Sequence, residues 1–189
     1  MGQELPLIFA TVGTDVHPFH RLTSWIDGWL SDGGSARARC FMQTGTSDEP
    51  RLAAHHPYLG YAEMESNVRA ASAIVCHGGP GTIMLCLALG KRPIVVPRVA
   101  QRGEHVDDHQ LAFARRVAAD GVILLAETED EFRTQVDRVL GGQVAPAGQV
   151  NGHDASATAA RFEELVNGLF TAKTRPTPRG GAVARGRRV

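Results

Sequence analysis

The sequence has no apolar run long enough to cross a membrane. Its longest candidate, Ile83 to Leu89, has seven residues, whereas a spanning helix needs about 18 or more. Cysteine is also scarce: Cys40, Cys76 and Cys86 are odd in number, and each lies in an apolar stretch. This usage indicates buried thiols in a reducing compartment rather than disulfides. With no basic and apolar leader at the N-terminus, these absences favour a cytoplasmic protein.

No excess of positive charge marks the whole sequence, because 20 basic residues balance 20 acidic ones. The balance hides an uneven distribution: residues 171–189 hold six basic residues and no acidic one, so residues 1–170 carry a net charge of −6. A body of this charge argues against nucleic-acid binding, which needs a basic face. The composition of the tail predicts a disordered segment. A solvated tail without a role and a contact with anionic lipid or an acidic partner both remain open.

Short apolar strands alternate with helical patterns along residues 1–170, and the length is that of one domain. The strand candidates are residues 7–12, 38–43, 58–61, 73–76, 92–96 and 122–125. The helix candidates are residues 18–30, 63–71, 83–89, 107–119, 128–140 and 155–169. This alternation predicts an α/β domain with a mainly parallel sheet flanked by helices. Ligands of such sheets bind beyond the carboxyl ends of the strands.

A glycine-rich segment, His77-Gly78-Gly79-Pro80-Gly81-Thr82, follows the fourth strand and opens a helix. Glycines allow a ligand to approach the backbone, and free N–H groups at a helix start attract anions. The Thr82 hydroxyl is a further donor, so a diphosphate is the predicted ligand. A tight turn without a ligand is the alternative. The segment is neither a P-loop nor a dinucleotide fingerprint, because it lacks the spacing of both motifs.

A polar segment, Glu104-His105-Val106-Asp107-Asp108-His109-Gln110, follows the fifth strand. Carboxylates and an amide at this edge suit sugar hydroxyls. A helix cap at Asp107 or Asp108, with Gln110 closing a capping box, explains only one or two of these residues. A metal site at His105 and His109 is a competing interpretation, but no His-Glu-x-x-His motif supports it.

The segment after the first strand contains Gly13, Thr14 and Asp15, whose amides and hydroxyl suit a phosphate or a reacting oxygen. His17 lies just before the helix signal at Pro18, so it is a candidate catalytic base that reaches the cleft. The alternative is that Asp15 caps the helix and His17 is a solvated loop residue.

In this order the motifs resemble the glycosyltransferase family 28 C-terminal domain, the donor-binding half of GT-B glycosyltransferases. The resemblance covers about residues 6–140. It rests on Thr-Val-Gly-Thr at 11–14, His-Gly-Gly-Pro-Gly-Thr at 77–82, Gly-Lys-Arg-Pro-Ile-Val-Val-Pro at 90–97 and Glu-His-Val-Asp-Asp-His-Gln at 104–110. It implies that residues 1–170 form a Rossmann-like half that binds a UDP-sugar, with no cofactor and no bound metal.

The resemblance also implies roles for individual residues. Loops after the first and fourth strands hold the diphosphate and nucleotide, which here means Gly13, Thr14, His77, Gly78, Gly79, Gly81 and Thr82. The segment opening the next helix holds the donor sugar, which here means Glu104, His105, Asp108, His109 and Gln110. One position departs from the family pattern: many members carry a ribose-binding Glu where this sequence has Leu85.

A complete GT-B enzyme has two such halves, and this sequence resembles one of them. Free-standing members of the family work with a membrane-associated, acceptor-binding subunit. The resemblance therefore implies a catalytic subunit that transfers N-acetylglucosamine or another hexose to a lipid-linked or polysaccharide acceptor, in the cytoplasm or at the inner face of the membrane. The base then lies on the partner or is His17. Leu85 supports the alternative of a non-catalytic nucleotide-sugar-binding module. A nucleotide-sugar epimerase is disfavoured, since that class also needs two halves.

Overall fold

The computed structural model describes residues 4–147 together with Ala160 and Phe162. Apart from those two residues, the helix expected over 155–169 and the basic tail over 171–189 lie outside the described part of the chain. Phe162 is buried and meets Phe113 edge-on, with 5.5 Å between the ring centroids.

In the described part of the chain, six parallel strands form one sheet. In chain order they are β1 (Leu7–Thr11), β2 (Arg39–Gln43), β3 (Ala54–His56), β4 (Ala73–Cys76), β5 (Ile94–Val95) and β6 (Leu124–Leu125). Their order across the sheet is β3-β2-β1-β4-β5-β6. Every residue of β1 and β4 is buried, as a parallel sheet covered on both faces requires. The predicted α/β architecture, a Rossmann-like parallel sheet flanked by helices, is confirmed.

Within residues 4–147, five helices cover the sheet. They are α1 (His20–Ser31), α2 (Tyr61–Ala70), α3 (Pro80–Ala88), α4 (His109–Ala119) and α5 (Glu129–Leu140), with 3₁₀ turns at Gly34–Ala36 and Ala100–Arg102. Side chains alternate between the two faces of β1. Ile8 joins the core cluster that contains α1 and α5, whereas Phe9 joins the cluster that contains Val68 of α2 and Cys86 of α3. Helices therefore pack on both faces of the sheet.

The third strand is not where the sequence pattern predicted it. The prediction was residues 58–61, but β3 is Ala54–His56, which pairs with β2 in the register Phe41↔Ala54. Tyr58 and Tyr61 are exposed, and Tyr61 begins α2. The pattern failed because β3 is an edge strand held by backbone hydrogen bonds to β2. Its side chains need no apolar alternation.

The helix starts also differ from the predictions by a few residues. Helix α1 begins at His20 rather than at Pro18, and α4 begins at His109 rather than at 107. Helix α3 begins earlier than predicted, because Pro80 occupies its first turn. Proline suits that position, since its missing N–H has no helical partner there.

The three cysteines are free and buried, as predicted. Burial raises the pKa of Cys40 and of Cys86 to about 12, so both thiols stay protonated at neutral pH. Within residues 4–147, no helix has the length and the apolar character that a bilayer crossing requires.

Candidate functional site

The three polar segments singled out in the sequence meet at one edge of the sheet. They follow β1, β4 and β5, and the order of the strands reverses direction between β1 and β4. Such a switch point opens a crevice beyond the carboxyl ends of the strands. The His17 and His105 rings lie 6.1 Å apart across it.

The His77 imidazole lies between two glycines. A Cβ atom at Gly13 would come 2.5 Å from Cε1 of this ring, and one at Gly79 would collide with its Nε2. Gly13 also has a φ of +79°, which favours glycine. Two of the predicted phosphate-loop glycines are thus required by the packing of His77.

The ring of His77 is electrically neutral. Burial lowers its pKa from 6.5 to about 4, and the nearby positive charge of Arg98 acts in the same direction. Its Nδ1 is buried and has no hydrogen-bond partner in the described part of the chain. A buried polar atom left without a partner is costly, and in a crevice it indicates a ligand.

Gln110, which packs against the glycine-rich loop, has the same property. Its Oε1 is buried and finds no partner within the described residues. Its side chain packs over Gly78, where a Cβ atom would come 3.0 Å from the Gln110 Cβ. The alternative of a capping box fails here, because the Asp107 amide donates to His105 Nδ1 at 3.3 Å instead.

The N-terminus of α3 faces open space. A Cβ atom added at Gly81 would meet nothing within 4 Å, and Thr82 is partly exposed beside it. The first turn of a helix carries N–H groups without helical partners, and the helix dipole makes this end attractive to anions. This terminus is therefore suited to bind a phosphate.

Asp15 and His17 form a carboxylate–imidazole pair. Asp15 Oδ1 accepts the His17 amide at 2.8 Å and lies 2.6 Å from the ring Nδ1. Burial acts to raise the pKa of Asp15, but the hydrogen bonds from His17 and the charge of Arg98 hold it below its usual range. An ionised Asp15 favours a proton on Nδ1 and leaves Nε2 as a base. The sequence reasoning missed this role for Asp15, although the Asp-x-His spacing carries the signal. Thr14, between Gly13 and Asp15, is exposed.

Further carboxylate–imidazole contacts extend from this pair to α4. His105 Nε2 lies 3.7 Å from Asp15 Oδ2, and its Nδ1 lies 3.5 Å from Asp107 Oδ1. Asp107 also contacts His109, and the hydrogen bonds from His109 lower the pKa of Asp107. Among residues 4–147, no group of three or more His, Cys, Asp or Glu side chains is arranged to hold a metal ion.

Two residues predicted to bind the sugar have protein partners in this structure. Glu104 is 4% exposed, and its two carboxylate oxygens accept from Arg21 Nε and Nη2, each at 2.8 Å. Asp108 accepts the amide of Ala100 at 2.9 Å. In this conformation both carboxylates shape the loop between β5 and α4.

Arg98 is the largest residue that the sequence reasoning overlooked. It is fully buried, and its guanidinium donates to three backbone oxygens. Nη1 reaches His17 O at 2.6 Å and Glu104 O at 2.8 Å, and Nη2 reaches Val12 O at 2.8 Å. A basic residue just after a strand and a proline was the available signal.

Leu85 lies on α3, away from the open helix terminus. It packs against the apolar cluster that contains Phe9, Val68 and Ile74. The chain therefore presents an apolar side chain at the position where the resemblance implied a ribose-binding carboxylate.

Comparisons with known proteins agree with this architecture. The model of the glycosyltransferase family 28 C-terminal domain matches residues 8–147. A UDP-N-acetylglucosamine--N-acetylmuramyl-(pentapeptide) pyrophosphoryl-undecaprenol N-acetylglucosamine transferase from Rubrobacter xylanophilus is 31% identical, over 68% of this chain. The alignment covers 40% of that enzyme, so the chain spans well under half of its length.

Solved structures with low sequence identity share the fold. The solution structure of ALG13 has a TM-score of 0.58 and 17% identity, with 86% of this chain and 95% of that chain covered. The glycotransferase of kitacinnamycin has a TM-score of 0.56 and 17% identity, with 89% of this chain and 40% of that chain covered. At such low sequence identities, these structural similarities are evidence for the fold alone.

Proposed function

This chain belongs to the glycosyltransferase family 28 C-terminal domain family, and we propose that it binds the nucleotide-sugar donor of a glycosyltransferase reaction. One observation supports this most strongly. Among the described residues, buried polar atoms of His77 and of Gln110, which packs over Gly78, have no partner, and the open N-terminus of α3 lies beside them. A donor with a diphosphate and a hydroxylated sugar supplies partners for these groups.

Each part of the donor has a matching part of the crevice. The diphosphate is held by the first turn of α3, with Gly81 and Thr82, and by the loop at Gly13 and Thr14. The sugar hydroxyls are held by Gln110, His105 and His109. Charge that develops on the leaving diphosphate is stabilised by backbone amides and the helix terminus, so the reaction needs no bound metal.

The reaction is a displacement at the anomeric carbon. An acceptor hydroxyl attacks this carbon, the bond to the diphosphate oxygen breaks, and the nucleoside diphosphate leaves, with inversion. The hydroxyl proton passes to His17 Nε2, while Asp15 holds the opposite side of the ring at 2.6 Å. His17 is favoured over His77 because a carboxylate, that of Asp15, orients its ring, whereas His77 Nδ1 is buried and has no partner among the described residues.

We propose UDP-N-acetylglucosamine, or another UDP-hexose, as the donor and a lipid-linked or polysaccharide molecule as the acceptor. The Rubrobacter relative is by its name an N-acetylglucosamine transferase that uses UDP-N-acetylglucosamine, which supports the donor class. A second, membrane-associated subunit binds the acceptor at the cytoplasmic face of the membrane. In support, the family model that matches residues 8–147 is that of a C-terminal domain.

Leu85 favours a second candidate function, a nucleotide-sugar-binding module without catalysis. The residue packs in the apolar cluster beside Val68, so no carboxylate at this position holds the ribose. Binding without turnover, even with an acceptor subunit present, would support this candidate.

Calorimetric titration of the purified chain tests donor binding. We expect UDP and UDP-N-acetylglucosamine to bind without added metal, and to bind more tightly than ADP or GDP. Equal binding of all nucleoside diphosphates would contradict the UDP assignment, and no binding of any would contradict the donor site in the isolated chain.

Two substitutions locate the donor within the crevice. Gln110→Ala and Thr82→Ala each remove one hydrogen-bonding group, so each should weaken UDP-sugar binding about tenfold. Gln135→Ala and Thr134→Ala are matched controls on α5, outside the three loops. Parental affinity in both crevice variants, with the fold intact, would overturn the assignment of the site.

A further inference from the structure

Arg98 lies at the point where two of the three loops join. Its three hydrogen bonds connect Val12 and His17, in the loop after β1, to Glu104, in the loop after β5. The guanidinium also stacks 4.9 Å from the centroid of the Phe19 ring. One side chain therefore fixes the spacing between the two loops that carry His17 and His105.

Within residues 4–147, no carboxylate contacts the Arg98 guanidinium directly. All three of its acceptors are backbone oxygens, and its Nε has no partner in the part of the chain that the structure describes. The nearest acidic group in sequence, Glu104, is already bonded through both oxygens to Arg21. A buried cation without a bonded anion is costly to a fold.

The positive charge of Arg98 affects the ionisation of two neighbouring side chains. It acts on Asp15 and on His77, and it lowers the pKa of both groups. Val12, whose carbonyl Arg98 holds, directly precedes Gly13 of the proposed phosphate loop. A fixed positive charge behind this loop favours an anion in front of it.

We propose that Arg98 is a positioning residue for the diphosphate of the nucleotide-sugar donor. It holds the loop after β1 against the loop after β5, and it places a buried positive charge behind the loop that receives the phosphates. The inference rests on the proposed function, because it assumes that the crevice takes a nucleoside diphosphate.

The test compares ligands with and without phosphates. The affinities of UDP and of uridine are measured by titration for the parent chain, Arg98→Met and Arg98→Lys. We expect Arg98→Met to weaken UDP binding about tenfold or more while the affinity for uridine changes much less. Lysine restores the charge but not the planar set of donors, so Arg98→Lys should recover part of the UDP affinity.

Arg92→Met is the matched control. Arg92 precedes β5 at the opposite end of the strand, is partly buried, and donates to a backbone oxygen, that of Ile123, at 3.5 Å. Burial lowers the pKa of its guanidinium, as it does for Arg98. This variant loses a similar cation away from the crevice, and it should bind UDP as the parent does.

Three outcomes overturn the inference. Parental UDP affinity in a folded Arg98→Met chain removes any role in binding. An equal loss of UDP and uridine affinity makes Arg98 a general structural residue. If Arg92→Met loses as much UDP affinity as Arg98→Met, the loss reflects reduced stability of the chain and not the position of Arg98. If Arg98→Met does not fold, the affinities of Arg98→Lys for UDP and for uridine provide the same test. A parent chain that binds no UDP instead contradicts the proposed function.

Discussion

His77 ties the stability of the protein to pH because its ring is buried and neutral. Its pKa is lowered from 6.5 to about 4 by burial and by Arg98. The unfolded chain therefore takes up a proton below about pH 6.5, whereas the folded chain does so only near pH 4. Between these values the unfolded state binds more protons, so the free energy of unfolding falls as the pH falls.

We expect the parent chain to lose about 2 to 3 kcal/mol more than His77→Gln between pH 7.5 and pH 4.5. Urea unfolding of both chains across this range, without nucleotide, measures the difference. Glutamine does not titrate, so the other histidines cancel in the comparison. Parallel curves for the two chains would show that His77 takes its proton equally in both states.

Gly79 isolates the steric demand of the same ring. Its φ of −75° is one that alanine adopts freely, yet a Cβ atom there collides with His77 Nε2. Gly79→Ala should therefore destabilise the chain by about 1 to 3 kcal/mol. In a chain that already carries His77→Ala, adding Gly79→Ala should lower the free energy of unfolding by less than it does in the parent chain.

Gly81→Ala is the matched control, since open space surrounds that position. Its stability should be unchanged or higher by up to about 1 kcal/mol, because alanine favours a helix. Its UDP affinity should nevertheless fall, because the added methyl group occupies the space in front of the first turn of α3. Urea unfolding and titration separate the two effects, and unchanged affinity would move the diphosphate away from this turn.

Single residues also show where reasoning from sequence ends. The glycines of residues 77–82 were assigned to a ligand, but Gly79 is needed first by the His77 ring, and only Gly81 is open. Glu104 was assigned to a sugar, but it is bonded to Arg21, 83 positions away. Local sequence gives the chemical type of a side chain, whereas its partner is set by the tertiary fold.

At the scale of elements, the loop between β5 and α4 depends on the buried pair of Arg21 and Glu104. Removing one charge of a buried pair leaves the other uncompensated, which costs about 3 to 5 kcal/mol. Glu104→Gln should therefore destabilise the chain by roughly 3 kcal/mol and weaken UDP binding through a displaced loop.

Glu129→Gln serves as the comparison, since Glu129 pairs with Arg133 at 2.9 Å on the surface of α5. An exposed pair of this spacing contributes only about 0.5 kcal/mol. Urea unfolding at neutral pH measures both variants. Similar small losses in the two would mean that Arg21 finds another partner and that the loop does not rely on Glu104.

Elements differed in how well their sequence predicted them. The unit from β4 to α3 was predictable because a fully buried strand, a glycine-rich turn and an apolar helix each leave a strong pattern. Strand β3 was not, because Ala54, His55 and His56 carry no strand pattern, and the neighbouring strand β2 holds them through its backbone.

For the molecule as a whole, the parallel topology decides which loops meet. Alternating strands and helices were enough to predict that the segments after β1, β4 and β5 share one edge. They were not enough to predict that Arg98 joins two of these loops, because its contact with His17 depends on a strand order that brings β5 close to β1, with only β4 between them.

In the proposed function, one subunit binds the donor and another binds the acceptor. Donor binding should therefore be measurable without sugar transfer. The chain alone should bind UDP-N-acetylglucosamine but transfer little sugar, whereas adding membranes from the cells that make the protein should start transfer into lipid or polysaccharide. Radiolabelled donor measures both quantities. Equal transfer with and without membranes would contradict the need for a membrane-bound acceptor subunit.

The most informative variant for this experiment is His17→Gln, which removes the proposed base. With membranes present, His17→Gln should lower the rate of transfer by about 10²-fold to 10⁴-fold, the typical effect of a lost general base, while UDP affinity stays within about twofold. His20→Gln is the matched control, because His20 pairs with Asp48 at 2.8 Å on the exposed first turn of α1. A His17→Gln chain that transfers sugar at the parental rate would place the base on the partner, since the donor half would then supply no group that takes the acceptor proton.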